Sequence, residues 1–447
     1  MADIHFNRSI ITRLDLWAAD VSSPGLILYG ARQTGKTTLV ERLSQKFSQY
    51  IRLDLKDQAD IDIFRKSGSS DDFLDRLCFL KGKYPLGKNT LIFIDCTCRD
   101  PQVVNLAEDI IHRQPCIKII LSCAIRLHQV PMGFSTLCLH PLSFTEFLSA
   151  YGNQDAIQSF KEVPFPVSGF HKLLGLFHQY TLIGGMPSVV KKFVQSGSMF
   201  SLKPVYDGIL QEFFRDIEET SFRQKKKDLL TITLQNAFMY AGTRIKFNAF
   251  GNVPFGSREM ANSFRYLESS MLLSLNYPSV GTEPPLIPES NKFPRLQMLD
   301  TGLVTYFSGI QKQMIMAMDL NSLFKGQVLR HVVGQELLSI ASGEPARLDY
   351  WVRDKSQSSA EIDYVILFDG LVIPVVVKSG EPGRLRSLHQ FIDVSPHPFA
   401  IRLYAGNVNI RKAQTLRGKP YYLLSLPYFL ACRIPEHLKG FIRYVNS

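Results

Sequence analysis

Apolar positions along the chain fall into three successive patterns. Between Leu26 and His140, short apolar runs alternate with stretches of helical spacing. The runs are Leu26–Tyr29, Thr90–Asp95 and Ile117–Ser122, with Gln49–Leu55 as a further short strand; Thr37–Ser44, Phe73–Leu80 and Pro101–Arg113 carry the helical spacing. Near-continuous apolar runs suit strands covered on both faces. Their alternation with helices predicts a doubly wound parallel sheet, with any ligand beyond the strands' carboxyl ends.

From Pro141 the pattern turns helical, and Ser143 and Glu146 stand three apart as in a capping box. Gly184-Gly185-Met186-Pro187 interrupts it, and Val205–Phe222 is amphipathic. The basic run Arg223-Gln-Lys-Lys-Lys227 follows, suiting a solvated helix end or a phosphate contact. Residues 228–285 read as helix, turn, short helix near Phe247–Phe250, longer helix Ser257–Ser270 and strand Met271–Asn276. That order suits a winged helix-turn-helix, with Arg258, Asn262 and Arg265 outward for DNA. Such modules also serve purely for packing. The third pattern starts near Leu296. A helix over Phe324–Ala341 precedes strands Arg347–Val352, Glu361–Phe368, Leu371–Lys378 and Phe399–Leu403, with a helix at Leu385–Ile392. The expected fold is therefore α/β. Its parts are a P-loop parallel sheet (1–155), a helical, winged-helix region (156–295) and an α/β domain (296–447).

Composition narrows this reading. A chain of 447 residues is too long for one ordinary core. The formal charge of +11 favours acidic partners such as nucleic acid or nucleotide phosphates. No apolar run approaches the roughly 18 residues of a membrane helix, and Met1–Ser9 lacks a basic head with an apolar core. A cytoplasmic protein without membrane contact is expected. Of seven cysteines only Cys96 and Cys98 lie close, at a spacing that fits neither zinc nor a redox pair. Buried reduced thiols are the expectation.

The first strand opens into Gly30-Ala31-Arg32-Gln33-Thr34-Gly35-Lys36-Thr37-Thr38, a phosphate-binding loop at a strand-to-helix junction. Loop amides at a positive helix end cradle phosphates, Lys36 reaches the outer ones, and the Thr37 hydroxyl can ligate Mg²⁺. Asp95, ending an apolar strand about 60 residues on, has the place of a Walker B carboxylate holding Mg²⁺ opposite Thr37. Ser122 ends another strand, where it suits γ-phosphate sensing or a simple cap. ATP or ADP with Mg²⁺ is the expected ligand. Near the C-terminus, Asp363 and Lys378 on neighbouring strands suit a metal-dependent nuclease core.

The P-loop, Leu-Ile-Phe-Ile-Asp95, Pro141-Leu-Ser-Phe-Thr-Glu-Phe-Leu, Gly-Gly-Met-Pro187, Leu299-Asp-Thr-Gly-Leu and Glu361-Ile-Asp363 with Val-Lys378-Ser-Gly fall in one order. Together they resemble the prokaryotic AAA-type ATPases that carry a C-terminal domain of unknown function with a restriction-endonuclease-like fold. The resemblance implies an AAA module, a winged helix and a nuclease-like domain. Three departures matter. Cys96 stands where the family's Walker B continues with Glu, Phe134 where it tends to have Arg, and Val376 where nuclease-like members have Glu. Arg330 also replaces a frequent Glu, although Glu336 persists and Glu361 could partly substitute. Groups for binding nucleotide are kept, while groups for turnover are missing. The leading expectation is ATP held as a switch or structural ligand, with Glu336, Asp363 and Lys378 as relics of a nuclease-like site. The alternatives are an ATP-driven nuclease or DNA-remodelling enzyme, and a DNA-binding regulator.

Overall fold

The computed structural model describes all residues except 1–5, 84–88, 96–100, 128, 221, 317–325, 342–346, 355–359, 379–384 and 447. The chain divides into two compact units. The first comprises Phe6–His140 with Ser269–Leu272, the second Pro141–Glu268 with Leu273–Ser447.

In the first unit the order is α1 (Ile11–Ala19), β1 (Gly25–Tyr29), α2 (Lys36–Ser44), β2 (Gln49–Asp54), α3 (Gln58–Lys66), α4 (Ser70–Lys81), β3 (Thr90–Asp95), α5 (Pro101–Arg113), β4 (Ile117–Cys123) and β5 (Phe134–Cys138). The strands form one parallel sheet in the order β2-β3-β4-β1-β5. Every residue of β1, β3 and β4 is buried, which is why their sequences are apolar without alternation. Alternate residues still serve opposite faces. Leu26, Leu28 and Phe93 pack with Leu14, Trp17, Leu39 and Val40 of α1 and α2, whereas Ile27, Ile51 and Leu53 pack with Ile63, Phe73 and Ile110 of α3, α4 and α5. Lys118 on β4 is buried too. Its ammonium donates to Trp17 O and Ser23 O, both at 3.1 Å, and so satisfies carbonyls at the exit of α1.

The second unit contains α6 (Phe144–Tyr151), α7 (Gln154–Lys161), α8 (Phe170–Ile183), α9 (Pro187–Ser196), α10 (Lys203–Glu218), α11 (Gln224–Met239) and α12 (Ser257–Ser269), the last running on past Glu268. Strands β6 (Leu273–Asn276), β7 (Pro278–Ser279) and β8 (Arg295–Met298) follow, then α13 (Thr301–Phe307), α14 (Gln311–Met316) and α15 (Gln327–Ile340). The chain ends with β9 (Asp349–Val352), β10 (Glu361–Phe368), β11 (Leu371–Val377), α16 (Arg386–Val394), β12 (Phe399–Tyr404), β13 (Asn409–Gln414), β14 (Pro420–Pro427) and α17 (Ile434–Asn446). β6 pairs antiparallel with β8, and a seven-stranded mixed sheet runs β13-β14-β12-β11-β10-β9-β7. The basic run therefore opens α11 rather than closing the helix before it, since α10 ends at Glu218. Strands β13 and β14 were not anticipated. β13 is an exposed edge with no apolar alternation and so leaves no hydrophobic signature, whereas β14 is a largely buried apolar run that pairs with it.

Three of the motifs that carry the family resemblance meet inside this second unit. Ser143 caps α6, accepting from Glu146 N at 3.3 Å while the Glu146 carboxylate accepts from Ser143 N at 3.0 Å. Leu142 N donates to Gly185 O at 2.7 Å, and Gly185 N to Asp300 Oδ2 at 2.6 Å. Asp300 also caps α13 through Leu303 N. A Cβ on Gly185 would stand 2.1 Å from Leu142 O, and one on Gly302 2.1 Å from Ile183 O, so both positions exclude larger residues. On α15, Gln335 accepts from Thr301 N at 2.8 Å and donates to the Tyr180 hydroxyl at 2.9 Å. That hydroxyl donates to Glu336 Oε1 at 2.7 Å, and Phe144 N reaches both Glu336 oxygens at 3.0 and 3.1 Å.

Burial pushes the Glu336 carboxyl up to about 7 and that of Asp300 up to about 6, above ordinary values of 4.5 and 3.8. Each group thus binds its proton more tightly folded than unfolded. Its contribution to stability is complete below the ordinary value and is lost as pH rises through the raised one. At 1.36 kcal/mol per unit, Glu336 contributes about 3 kcal/mol to this slope. Glu336→Gln is expected to flatten the fall of thermal stability between pH 4.5 and 7, measured as Tm in buffers of constant ionic strength.

Candidate nucleotide site

All five strands of the first sheet are parallel, so their carboxyl ends share one edge. β1 ends at Tyr29 and the chain turns at once into Gly30–Gly35 before α2 starts. Gly30 N donates to Cys123 O at 3.1 Å, and a Cβ there would stand 2.7 Å from Leu139 O. Gly35 has φ of +95°, a conformation that glycine adopts without cost, and as N-cap of α2 it offers no side chain to the first helical amides. Those amides are the donors that a phosphate satisfies at a helix N-terminus. Thr34 closes the turn by donating to Ala31 O at 2.9 Å. The Lys36 ammonium lies across the loop, 2.8 Å from Gly30 O and 3.0 Å from Ala31 O. Arg32 and Gln33 are partly exposed on the loop, and Thr38 is exposed.

Two arginines absent from any sequence motif stand at this edge. Arg8, before α1, donates to Thr34 O at 3.0 Å and to His140 O, tying the loop to the chain beyond β5. Arg126 follows β4, its guanidinium 5.6 Å from the Tyr29 ring centroid. Burial, then these two charges, hold His140 down to about 4, so it is neutral near pH 7.

β4 lies between β1 and β3, and Ser122 on it is buried in register with Leu28. Asp95 ends β3, 7% exposed, and the Thr37 hydroxyl donates to its Oδ2 at 2.8 Å. A hydroxyl and a buried carboxylate at this separation form a hard-oxygen pair that suits Mg²⁺. Arg52 on β2 reaches the same carboxylate oxygen, 3.5 Å away, and also faces Glu41 and Asp54. Cys96 lies outside the described residues.

Phe134, the departure from the family's Gly-Arg, does not stand beside the loop of its own chain. It opens β5 in register with Gly25, at the amino end of the P-loop strand, whereas Cys138 at the other end of β5 pairs with Tyr29. An arginine at 134 would stand at the sheet edge away from the loop within its own chain. The Phe134 ring instead fills the space over Gly25, where a Cβ would meet it at 2.6 Å.

The C-terminal candidates face separate partners. Glu336 points to Phe144 and Tyr180 as described. Asp363 accepts from Val377 N at 2.8 Å and has Arg330 at 3.9 Å; burial pushes its carboxyl up. Glu361 is paired with buried Arg295, which also donates to Asp363 O, and with Arg244 at 3.6 Å. Lys378 is exposed at the end of β11, and Val376 is buried. Among the described residues no group of three or more His, Cys, Asp or Glu is placed to hold a metal ion. Arg295 and Arg330 place cationic charge beside Glu361 and Asp363.

With the loop, Lys36, Thr37 and Asp95 assembled at one sheet edge, the comparison with known families is direct. Residues 22–148 match the AAA domain family. The first unit carries an AAA-type P-loop domain. Residues 174–314 match one domain of unknown function (DUF8612) and 325–424 another (DUF4143). No curated protein matches the sequence. Similar solved structures include PCH-2 of C. elegans, at 14% identity over 42% of this chain and 61% of that one, with a TM-score of 0.28. Another is a STAND-class signal-transduction ATPase with a tetratricopeptide-repeat sensor from Pyrococcus horikoshii, at 14% identity, 76% of this chain, 46% of that one and TM-score 0.28. A Drosophila ORC structure bound to DNA aligns at 14% identity over 67% and 85%, with a TM-score of 0.24. Similarity at this level carries no functional argument. Among the described residues no helix is long and apolar enough to cross a membrane.

Because residue 134 lies at the far sheet edge, Phe134→Arg is expected to leave nucleotide affinity and turnover unchanged while lowering Tm through loss of packing on Gly25. Fluorescent-nucleotide titration and phosphate release check the first part, and thermal melts the second.

Proposed function

We propose that this protein binds ATP with Mg²⁺ in its AAA-type unit and uses the nucleotide as a slowly hydrolysed switch or structural ligand. The observation that carries this is the Thr37–Asp95 contact at the mouth of the P-loop. The loop amides and Lys36 bind the phosphates, and Thr37 with Asp95 holds the metal, which supplies charge neutralisation to the outer phosphates. Ser122, one residue before the end of β4, is the candidate γ-phosphate contact. Of the two sequence departures that argue for slow turnover, Phe134 stands at the sheet edge away from the loop of its own chain, so an arginine there would act only on a neighbouring copy. Cys96 in place of a Walker B glutamate remains, and a thiol does not replace a carboxylate base worth roughly 10²- to 10⁴-fold in rate. In the second unit, the ion pairs around Asp363 and Glu361 support a scaffold or binding role for the C-terminal sheet rather than nuclease chemistry.

Purified protein is expected to bind a fluorescent ATP analogue in Mg²⁺ and to hydrolyse ATP well below about 1 s⁻¹. Lys36→Ala should weaken binding at least tenfold, and Cys96→Glu should raise turnover by roughly 10²-fold. Turnover above about 1 s⁻¹ that Lys36→Ala abolishes would falsify the slow-switch reading.

A second reading rests on the basic face of α11 and α12. Arg258, Asn262 and Arg265 are exposed on α12, and exposed Arg223, Lys225 and Lys226 open α11, with Lys225 3.3 Å from Glu259. Lysines in a first turn oppose the helix dipole and lower helix stability, so their placement suits an outside anion such as a nucleic-acid phosphate. A winged-helix contact with DNA predicts a gel-shift affinity that falls steeply with salt and weakens in Arg258→Ala/Arg265→Ala. Binding indifferent to salt or to both substitutions would remove it.

A further inference from the structure

Arg52 and Asp54 lie on one face of β2, opposite buried Ile51 and Leu53. Arg52 is in register with Phe93 and Asp54 with Asp95. This places the Arg52 side chain beside α2, among three carboxylates. Its Nη1 is 3.1 Å from Glu41 Oε1. Its Nη2 is 3.5 Å from Asp54 Oδ2 and 3.5 Å from Asp95 Oδ2. That last oxygen also receives the Thr37 hydroxyl, so the guanidinium stands against the two groups that suit Mg²⁺.

The two ends of this contact differ in burial. The Asp95 side chain is 10% exposed and fixed at a strand end, whereas Arg52 and Glu41 are 37% and 49% exposed. Exposed ion pairs of this kind are weak and easily exchanged. Two buried polar atoms in the cluster, Arg52 Nε and Tyr50 Oη, have no hydrogen-bond partner among the described residues. Bound Mg²⁺ usually keeps several waters, which such atoms can meet. Glu41, one helical turn beyond Thr37, offers the guanidinium an alternative seat away from the metal position.

We propose that Arg52 is a built-in counter-cation that competes with Mg²⁺ for Asp95, and that Glu41 draws it aside when the metal is held. Arg52 is thus a positioning residue that sets the metal concentration at which Mg-nucleotide is retained. The inference rests on the nucleotide reading above. Like charges at such separations repel enough to change affinity about tenfold.

The test is binding of a fluorescent ATP analogue to the full chain, titrated with MgCl₂ from an EDTA baseline. Arg52→Gln is expected to lower the Mg²⁺ concentration for half-maximal binding about tenfold, leaving affinity in EDTA unchanged, and Arg52→Lys to stay near wild type. Glu41→Gln should raise that concentration several-fold, and the effect should vanish in the Arg52→Gln background, since the two groups act as one unit. Should Arg52→Gln not fold, Glu41→Gln and Arg52→Lys carry the test. Unchanged Mg²⁺ dependence in Arg52→Gln, or a Glu41→Gln effect that persists without Arg52, overturns the competition while leaving nucleotide binding intact. No binding by the wild-type chain overturns both.

Discussion

The hydrogen bond from Thr37 to Asp95 is possible only because five parallel strands stop at a common edge. Thr37 follows β1 through a glycine-bounded turn, Asp95 ends β3, and β4 between them fixes their spacing. Parallel order in turn requires covered faces, which α1 and α2 provide on one side and α3, α4 and α5 on the other. The apolar core of the first unit thus acts at a distance on chemistry: it holds one hydroxyl and one carboxylate 2.8 Å apart where α2 presents its amide groups.

The second unit is organised by a different interaction. Tyr180, Asp300, Gln335 and Glu336 are fully or almost fully buried and satisfy one another and the backbone of two tight segments. A buried polar network is stabilising only when every member finds a partner, which constrains the residue types tightly. This explains why Leu-Ser-Phe144, Gly-Gly185 and Asp300-Thr-Gly302 are such distinct sequence blocks without lying near the P-loop chemistry. They hold α6, α8, α13 and α15 together. Glu336 belongs to this scaffold, its protonation raised by burial rather than tuned by a metal.

The sheet of the second unit shows how charge pairing redirects a suggestive motif. Glu361 and Asp363 alternate toward one face of β10, as a metal site needs, yet Arg295, Arg244 and Arg330 occupy their surroundings. A buried guanidinium already compensates the carboxylates, so a divalent cation would have to displace it at considerable desolvation cost.

By itself the sequence determined the parts that depend on local pattern. The P-loop and its helix, the apolar strands with Asp95 at the end of one, the capping box at Ser143 and the exposed face of α12 all follow from spacing along the chain. Tertiary structure decided what depends on strand order and on long-range partners. The direction of β5 put Phe134 at the edge away from the loop, and folding brought Arg8 to Thr34 and Arg52 to Asp95 across 26 and 43 residues. No local pattern encodes such contacts, because a single arginine in a half-exposed strand looks like any solvated charge until the neighbouring strand supplies its carboxylate.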